Sequence, residues 1–167
     1  MEGHESESIR AGAPNPMRQP SPTTILVVED EGAIREAVRR ALADHGYTVM
    51  VARTGEEAVD LLWARGERID WLFTDIRLPG KADGWRVAEE FRFAHPFRPV
   101  IYATASASDS ERMVPGSLFV RKPYRPSEIV AAFRRLSEAP ASPYETAVPG
   151  TVRFVANAAV ATRDRPS

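Results

Sequence analysis

A chain of 167 residues with a net charge of −1 is long enough for one domain with a buried core, and it carries no global field that would draw it to nucleic acid or anionic lipid. It has no cysteine, which excludes disulfides, thiolate nucleophiles and cysteine-based zinc sites. No apolar stretch reaches the length of a bilayer span and no basic segment followed by an apolar one opens the chain, so a cytoplasmic protein away from membranes is expected.

Residues 1–23 are rich in Glu, Ser, Pro and Gly. Such a segment buries too little apolar surface to offset its ordering entropy, and it reads as a disordered N-terminal arm. The next segment, 24–138, alternates in pattern. Ile25-Leu26-Val27-Val28 reads as a strand that ends in Glu29-Asp30. Ile34, Ala37, Val38, Ala41 and Leu42 recur at helical spacing, with Gly46 as the stop and His45 as a cation near the helix C-terminus. A short strand follows over 47–51. Ala58, Leu61 and Leu62 mark a second helix ending near Gly66. Residues 69–74 form a continuous apolar run, typical of a strand buried on both faces, and the run ends at Asp75. Val87, Phe91 and Ala94 mark a third helix, closed by His95-Pro96. A strand over 99–103 ends at Thr104, and a short helix is expected over 108–113. A fifth strand over 117–121 ends in Lys122-Pro123. Ile129, Ala132, Phe133 and Leu136 mark the last helix, with Ser127 as its N-cap. Ala139-Pro140-Ala141-Ser142-Pro143 reads as a linker. Linker and short C-terminal tail together occupy 139–167, and the strand-like patch Val152-Arg153-Phe154-Val155 could pair with a sheet edge, dock on a partner or stay mobile. Trp63, Trp71 and Trp85 are expected to pack, and the three histidines form no metal cluster.

Five strands alternating with helices predict a parallel sheet covered on both faces, wound by right-handed crossovers. In such doubly wound sheets ligands sit outside the carboxyl ends of the strands. Glu29, Asp30, Asp75, Thr104 and Lys122 would meet there, bringing together three carboxylates, one hydroxyl and one ammonium. Magnesium takes oxygen ligands, commonly one or two carboxylates plus waters. A carboxylate such as Asp75 can attack phosphorus, while a metal and a lysine offset charge on the transferred group. Taken singly, these residues have plainer readings. Glu29-Asp30 could cap a helix, Lys122 could be a solvated lysine, Thr104 could satisfy a strand backbone, and Phe119 could simply be core.

Taken together, the segments resemble the receiver domain of bacterial two-component response regulators. They are Leu26-Val27-Val28-Glu29-Asp30-Glu31, Thr74-Asp75-Ile76-Arg77-Leu78-Pro79-Gly80, Asp83-Gly84, Ala103-Thr104-Ala105 and Val120-Arg121-Lys122-Pro123-Tyr124. The resemblance covers roughly residues 24–137. It implies a flavodoxin-like α/β fold, a doubly wound (βα)5 sheet of strand order 2-1-3-4-5. It also implies that Asp75 is the phosphoacceptor, with Mg2+ held by Asp30, Asp75, the Arg77 backbone carbonyl and, through water, Glu29. Thr104 and Lys122 would read the phosphate, Phe119 would change rotamer on activation, and Arg77 and Ser106 would tune phosphate lifetime. The Lys122-Pro123 bond would be cis. Three departures stand out. The loop Gly80-Lys81-Ala82-Asp83 is longer than usual, and Met113-Val114-Pro115-Gly116-Ser117 replaces a Gly-Ala pair. Tyr102-Ala103-Thr104-Ala105-Ser106 is similar to the Phe-Ala-Thr-Gly stretch of a subclass often made of single-domain regulators.

The leading expectation is therefore a single-domain response regulator, not an enzyme acting on free substrates. A sensor histidine kinase or histidine phosphotransfer protein would phosphorylate Asp75, and an unknown downstream protein would bind the result. A phosphate sink in a phosphorelay uses the same residues. A phosphorylation-independent binding module keeps the fold and drops the chemistry. A phosphatase or phosphotransferase with an Asp nucleophile usually carries a second Asp two residues on, where this chain has Arg77. Direct DNA binding is not expected, because the tail lacks a helix-turn-helix pattern. A monomer or weak dimer is expected.

Overall fold

In the computed structural model, residues 22–106, 112–138 and 153–154 are described. Strands β1 (Thr24–Val28), β2 (Thr48–Ala52), β3 (Trp71–Asp75), β4 (Val100–Thr104) and β5 (Leu118–Arg121) alternate with helices α1 (Gly32–Asp44), α2 (Gly55–Arg65), α3 (Gly84–Ala94) and α4 (Pro126–Glu138). A two-residue strand β6 (Arg153–Phe154) adds to the far edge. Sheet order is β2-β1-β3-β4-β5-β6, with every neighbouring pair parallel. The order 2-1-3-4-5 is the one expected. The expected helix over 108–113 falls largely on 107–111, outside the described residues, as do the arm over 1–21 and the tail over 139–152 and 155–167. Among the described residues, no helix is long and apolar enough to cross a membrane.

Successive side chains of a strand point to opposite faces, so each apolar run feeds two cores. Leu26, Val28, Leu72, Tyr102 and Phe119 pack with Ala58, Leu62, Val87 and Phe91 of α2 and α3. Ile25, Val27, Phe73, Ile101 and Val120 pack with Val38, Leu42, Ile129 and Phe133 of α1 and α4. This two-sided burial explains why the central strands read as unbroken apolar runs.

Two local expectations are corrected. Pro126, not Ser127, opens α4, because the missing N–H of proline is no loss at the first helical position. The start is closed by Glu128, whose carboxylate accepts from the Arg125 N–H at 2.8 Å. Trp63 is 77 % exposed, whereas Trp85 is buried and Trp71 stacks on Phe133 at 5.0 Å.

The C-terminal ends of α2 and α3 are tied together where the His95 Nε2–H donates to the Gly66 carbonyl at 2.9 Å. Burial, followed by the Arg98 charge, lowers the His95 pKa. Between that lowered value and the ordinary ~6.5 the unfolded chain binds more protons than the folded one, so stability falls as pH drops through this window. His95→Gln keeps a donor for Gly66 but does not titrate. Going from about pH 7.5 to about pH 5.5, Tm should therefore fall further for wild type than for His95→Gln. Parallel Tm curves would remove His95 as the cause.

Candidate functional site

The parallel register sets the site. Val28 pairs with Thr74, Asp75 with Ala103 and Thr104 with Arg121. Glu29, Asp75, Thr104 and Lys122 consequently stand at the carboxyl ends of four adjacent strands. One carboxylate oxygen from each of Glu29, Asp30 and Asp75 lies within 4.8 Å of the others. Lys122 Nζ reaches Asp75 Oδ2 at 2.5 Å and Glu29 Oε2 at 3.5 Å. The Lys122 backbone N–H donates to the Thr104 carbonyl at 2.7 Å, and the Lys122-Pro123 peptide is cis. Glu29 and Asp30 do not cap α1. The cap position belongs to Glu31, whose side chain makes no cap hydrogen bond.

Glu29 is 1 % exposed and Asp75 6 %. Burial first, then the neighbouring Asp75 and Asp30 charges, raise the Glu29 pKa against the opposing pull of Lys122. Burial works against the Lys122 charge, yet the hydrogen bond and charge of Asp75, aided by Glu29, hold its pKa above the ordinary lysine value. Three carboxylates thus face a single ammonium. An all-oxygen donor set with surplus negative charge suits a hard divalent cation, and Asp30, which is exposed, leaves the cluster open to solvent. Lys122→Met should lower stability in EDTA by about 3 kcal/mol, the low end for breaking a buried pair, because Lys122 keeps some exposure. Mg2+ should restore much of that loss by supplying the missing positive charge. Urea midpoints with and without Mg2+ test this; an unchanged midpoint in EDTA would show that Lys122 neutralises nothing.

The remaining candidates sit around this cluster. Arg77 is exposed, but its backbone N–H donates to Asp75 Oδ1 at 3.1 Å, which places the Arg77 peptide beside the carboxylate. The Thr104 hydroxyl donates to the Ser106 carbonyl and accepts from the Ser106 N–H, each at 3.0 Å. Phe119 lies outside the cluster, buried with its ring 5.4 Å from Tyr102 and 6.2 Å from Trp85.

Three further contacts had gone unassigned. The Tyr124 hydroxyl donates to Glu29 Oε2 at 3.3 Å, while its ring packs edge-on against Phe73. Burial and the Glu29 charge push the Tyr124 pKa up, keeping it a donor. Its place directly after Lys122-Pro123 was the available signal. Arg35 Nη1 donates to the carbonyls of Glu29 and Asp30. Glu56, at the start of α2, accepts from the backbone N–H groups of Lys81 at 2.5 Å and Ala82 at 3.1 Å. That contact anchors the long loop after Asp75. These donors, that of Lys81 first, lower the Glu56 pKa.

Comparison with known proteins agrees with this geometry. The response regulator receiver domain family matches residues 25–134. Response regulator MprA of Mycolicibacterium vanbaalenii is 35 % identical over 119 residues, covering 69 % of this chain and 50 % of that protein. Its counterpart in Mycobacterium avium is 35 % identical over 116 residues, covering 67 % and 50 %. The chain thus spans about half the length of these curated relatives. Among solved structures, a response regulator receiver protein from Sinorhizobium medicae superposes with a TM-score of 0.66 at 31 % identity, over 71 % of this chain and 96 % of that one. The chemotaxis protein CheY4 of Vibrio cholerae does so with a TM-score of 0.61 at 25 % identity, over 68 % and 98 %.

Proposed function

Because this chain belongs to the response regulator receiver domain family of two-component systems, we propose that Asp75 accepts a phosphoryl group from a histidine kinase or phosphotransfer protein and thereby switches binding to a downstream protein. The observation that carries this reading is the buried Asp75 carboxylate, 2.5 Å from Lys122 and grouped with Glu29 and Asp30. An Asp75 oxygen forms the bond to phosphorus as the bond to the donor breaks, and the donor leaves with that electron pair. Lys122 Nζ, 2.5 Å from Asp75 Oδ2, would offset the charge that builds on the transferred group. Asp30, Asp75, the Arg77 carbonyl and, through water, Glu29 would hold Mg2+. When bound, the ion neutralises phosphoryl oxygens and orients them for in-line transfer.

The product carries about −1.5 to −2 charge and three acceptor oxygens. Thr104, at the end of the neighbouring strand β4, carries a hydroxyl that would donate to them, and doing so would exchange its bond to the Ser106 carbonyl. The β4–β5 side, including buried Phe119, would then shift toward the form a partner selects. Arg77 and Ser106, close to Asp75 and Thr104 in the chain, would flank the phosphate and set its lifetime.

Incubating the chain with acetyl phosphate and Mg2+ should add the mass of one phosphoryl group, located in the peptide containing Asp75. EDTA should prevent the addition. Failure of wild type to take up phosphate from either acetyl phosphate or a histidine-phosphorylated donor would overturn the proposal.

A further inference from the structure

Arg35 sits in the first turn of α1, half-buried. A cation there opposes the helix dipole, which favours negative charge at the N-terminus. Two nearby arginines on the same helix, Arg39 and Arg40, direct their guanidiniums to Glu36. Arg35 instead turns back beneath the strand end. Its Nη1 donates to the Glu29 carbonyl at 2.7 Å and to the Asp30 carbonyl at 3.0 Å. One nitrogen therefore ties the two successive peptide units that carry two of the three clustered carboxylates.

Apart from Arg35, the backbone of that turn is held by the Glu29 N–H on the Ala52 carbonyl at 3.2 Å and by the first helical bond, Arg35 N–H to the Glu31 carbonyl at 2.9 Å. Glu31 at the N-cap makes no side-chain cap bond. The side-chain contact inside the turn is a 3.3 Å bond from the Glu31 N–H to Glu29 Oε1, which engages the very carboxylate that faces the cluster. We propose that Arg35 is a positioning residue for the divalent cation: it clamps the Glu29 and Asp30 carbonyls so that their carboxylates converge with Asp75. The inference rests on the magnesium reading of the acidic cluster given above.

Clamping and simple charge predict opposite signs. A positive side chain near a cation site repels the cation, so removing it would tighten binding if charge dominated. If Arg35 acts by holding the turn, removing it loosens binding despite the charge gained. Groups that orient metal ligands typically contribute 10–100-fold in affinity. A lysine keeps the charge but not the guanidinium fork, so it should rescue only in part.

The test is a Mg2+ titration of the full chain, followed by the backbone amide NMR shifts of Asp30 and Asp75, with urea unfolding in EDTA alongside. Arg35→Gln should bind Mg2+ about 10-fold or more weakly with a midpoint in EDTA close to wild type, and Arg35→Lys should fall between. Equal or tighter binding by Arg35→Gln overturns the inference and leaves the magnesium reading standing. No binding by wild type overturns both. If Arg35→Gln does not fold, Arg35→Lys decides: weakened binding supports the clamp, and wild-type affinity overturns it.

Discussion

Asp75→Asn should abolish phosphoryl uptake while leaving the domain folded. The substitution conserves volume and keeps an oxygen to accept from the Arg77 N–H, now at 3.1 Å from Asp75 Oδ1. It removes the anionic nucleophile, and an amide does not replace it. It also points an NH2 group at the Lys122 ammonium, which lies 2.5 Å from Asp75 Oδ2. Two donors cannot pair, so Lys122 should swing fully to Glu29, already 3.5 Å away. Loss of one carboxylate from the cluster should weaken Mg2+ binding by about 10-fold, equivalent to about 1.4 kcal/mol. Intact-mass measurement after exposure to acetyl phosphate, with a Mg2+ titration, checks both parts. An adduct of wild-type yield on the Asn variant would move the acceptor to another residue.

Gly84→Ala should damage fold and site together. A Cβ at Gly84 would stand 2.0 Å from the Asp75 carbonyl oxygen and 2.8 Å from the Ile76 Cα. Both are backbone atoms and cannot rotate aside. Reaching the 3.0 Å that real Cβ atoms keep requires the end of β3 and the start of α3 to part by about 1 Å. Overpacking of this kind costs about 1–3 kcal/mol, and an ångström of misplacement at a reacting group can cost about 100-fold in rate. Gly46→Ala is the matching control. Gly46 has φ +86° in open space, so alanine there should cost about 1–2 kcal/mol of backbone strain and leave phosphoryl uptake at the wild-type rate. Urea unfolding and the rate of adduct formation separate the cases. A normal uptake rate in a destabilised Gly84→Ala would mean that β3 yields without carrying Asp75 along.

The strands and the acidic cluster were legible in the sequence because both are local. A strand buried on two faces is an apolar run, and its carboxyl end is marked by the first polar residues, as at Val28-Glu29, Phe73-Thr74-Asp75 and Ala103-Thr104. What was not legible depends on where long side chains go once distant segments meet. Tyr124 reaches Glu29 across 95 positions and Glu56 reaches Lys81 across 25; no periodicity encodes either. Arg35 was legible in principle, since a cation in a helix first turn asks for a partner, but backbone carbonyls are partners that a sequence does not display. Trp63 misled for a related reason. It follows the inward Leu62 on α2, and one residue is about 100° of helical rotation, enough to turn it to solvent.

The loop after Asp75 is gripped from two helices. Glu56 holds its N–H groups at Lys81 and Ala82, and Gly55 and Gly84 press so close to Ala82 and Asp75 that not even a methyl group fits between. On the other flank, the Thr104 hydroxyl is engaged with its own turn at Ser106. In mechanical terms the pocket has an anvil and a spring. Under the proposed phosphorylation, strain at Asp75 would meet little compliance in the loop held by α2 and α3, and more at the Thr104 turn on the β4 side.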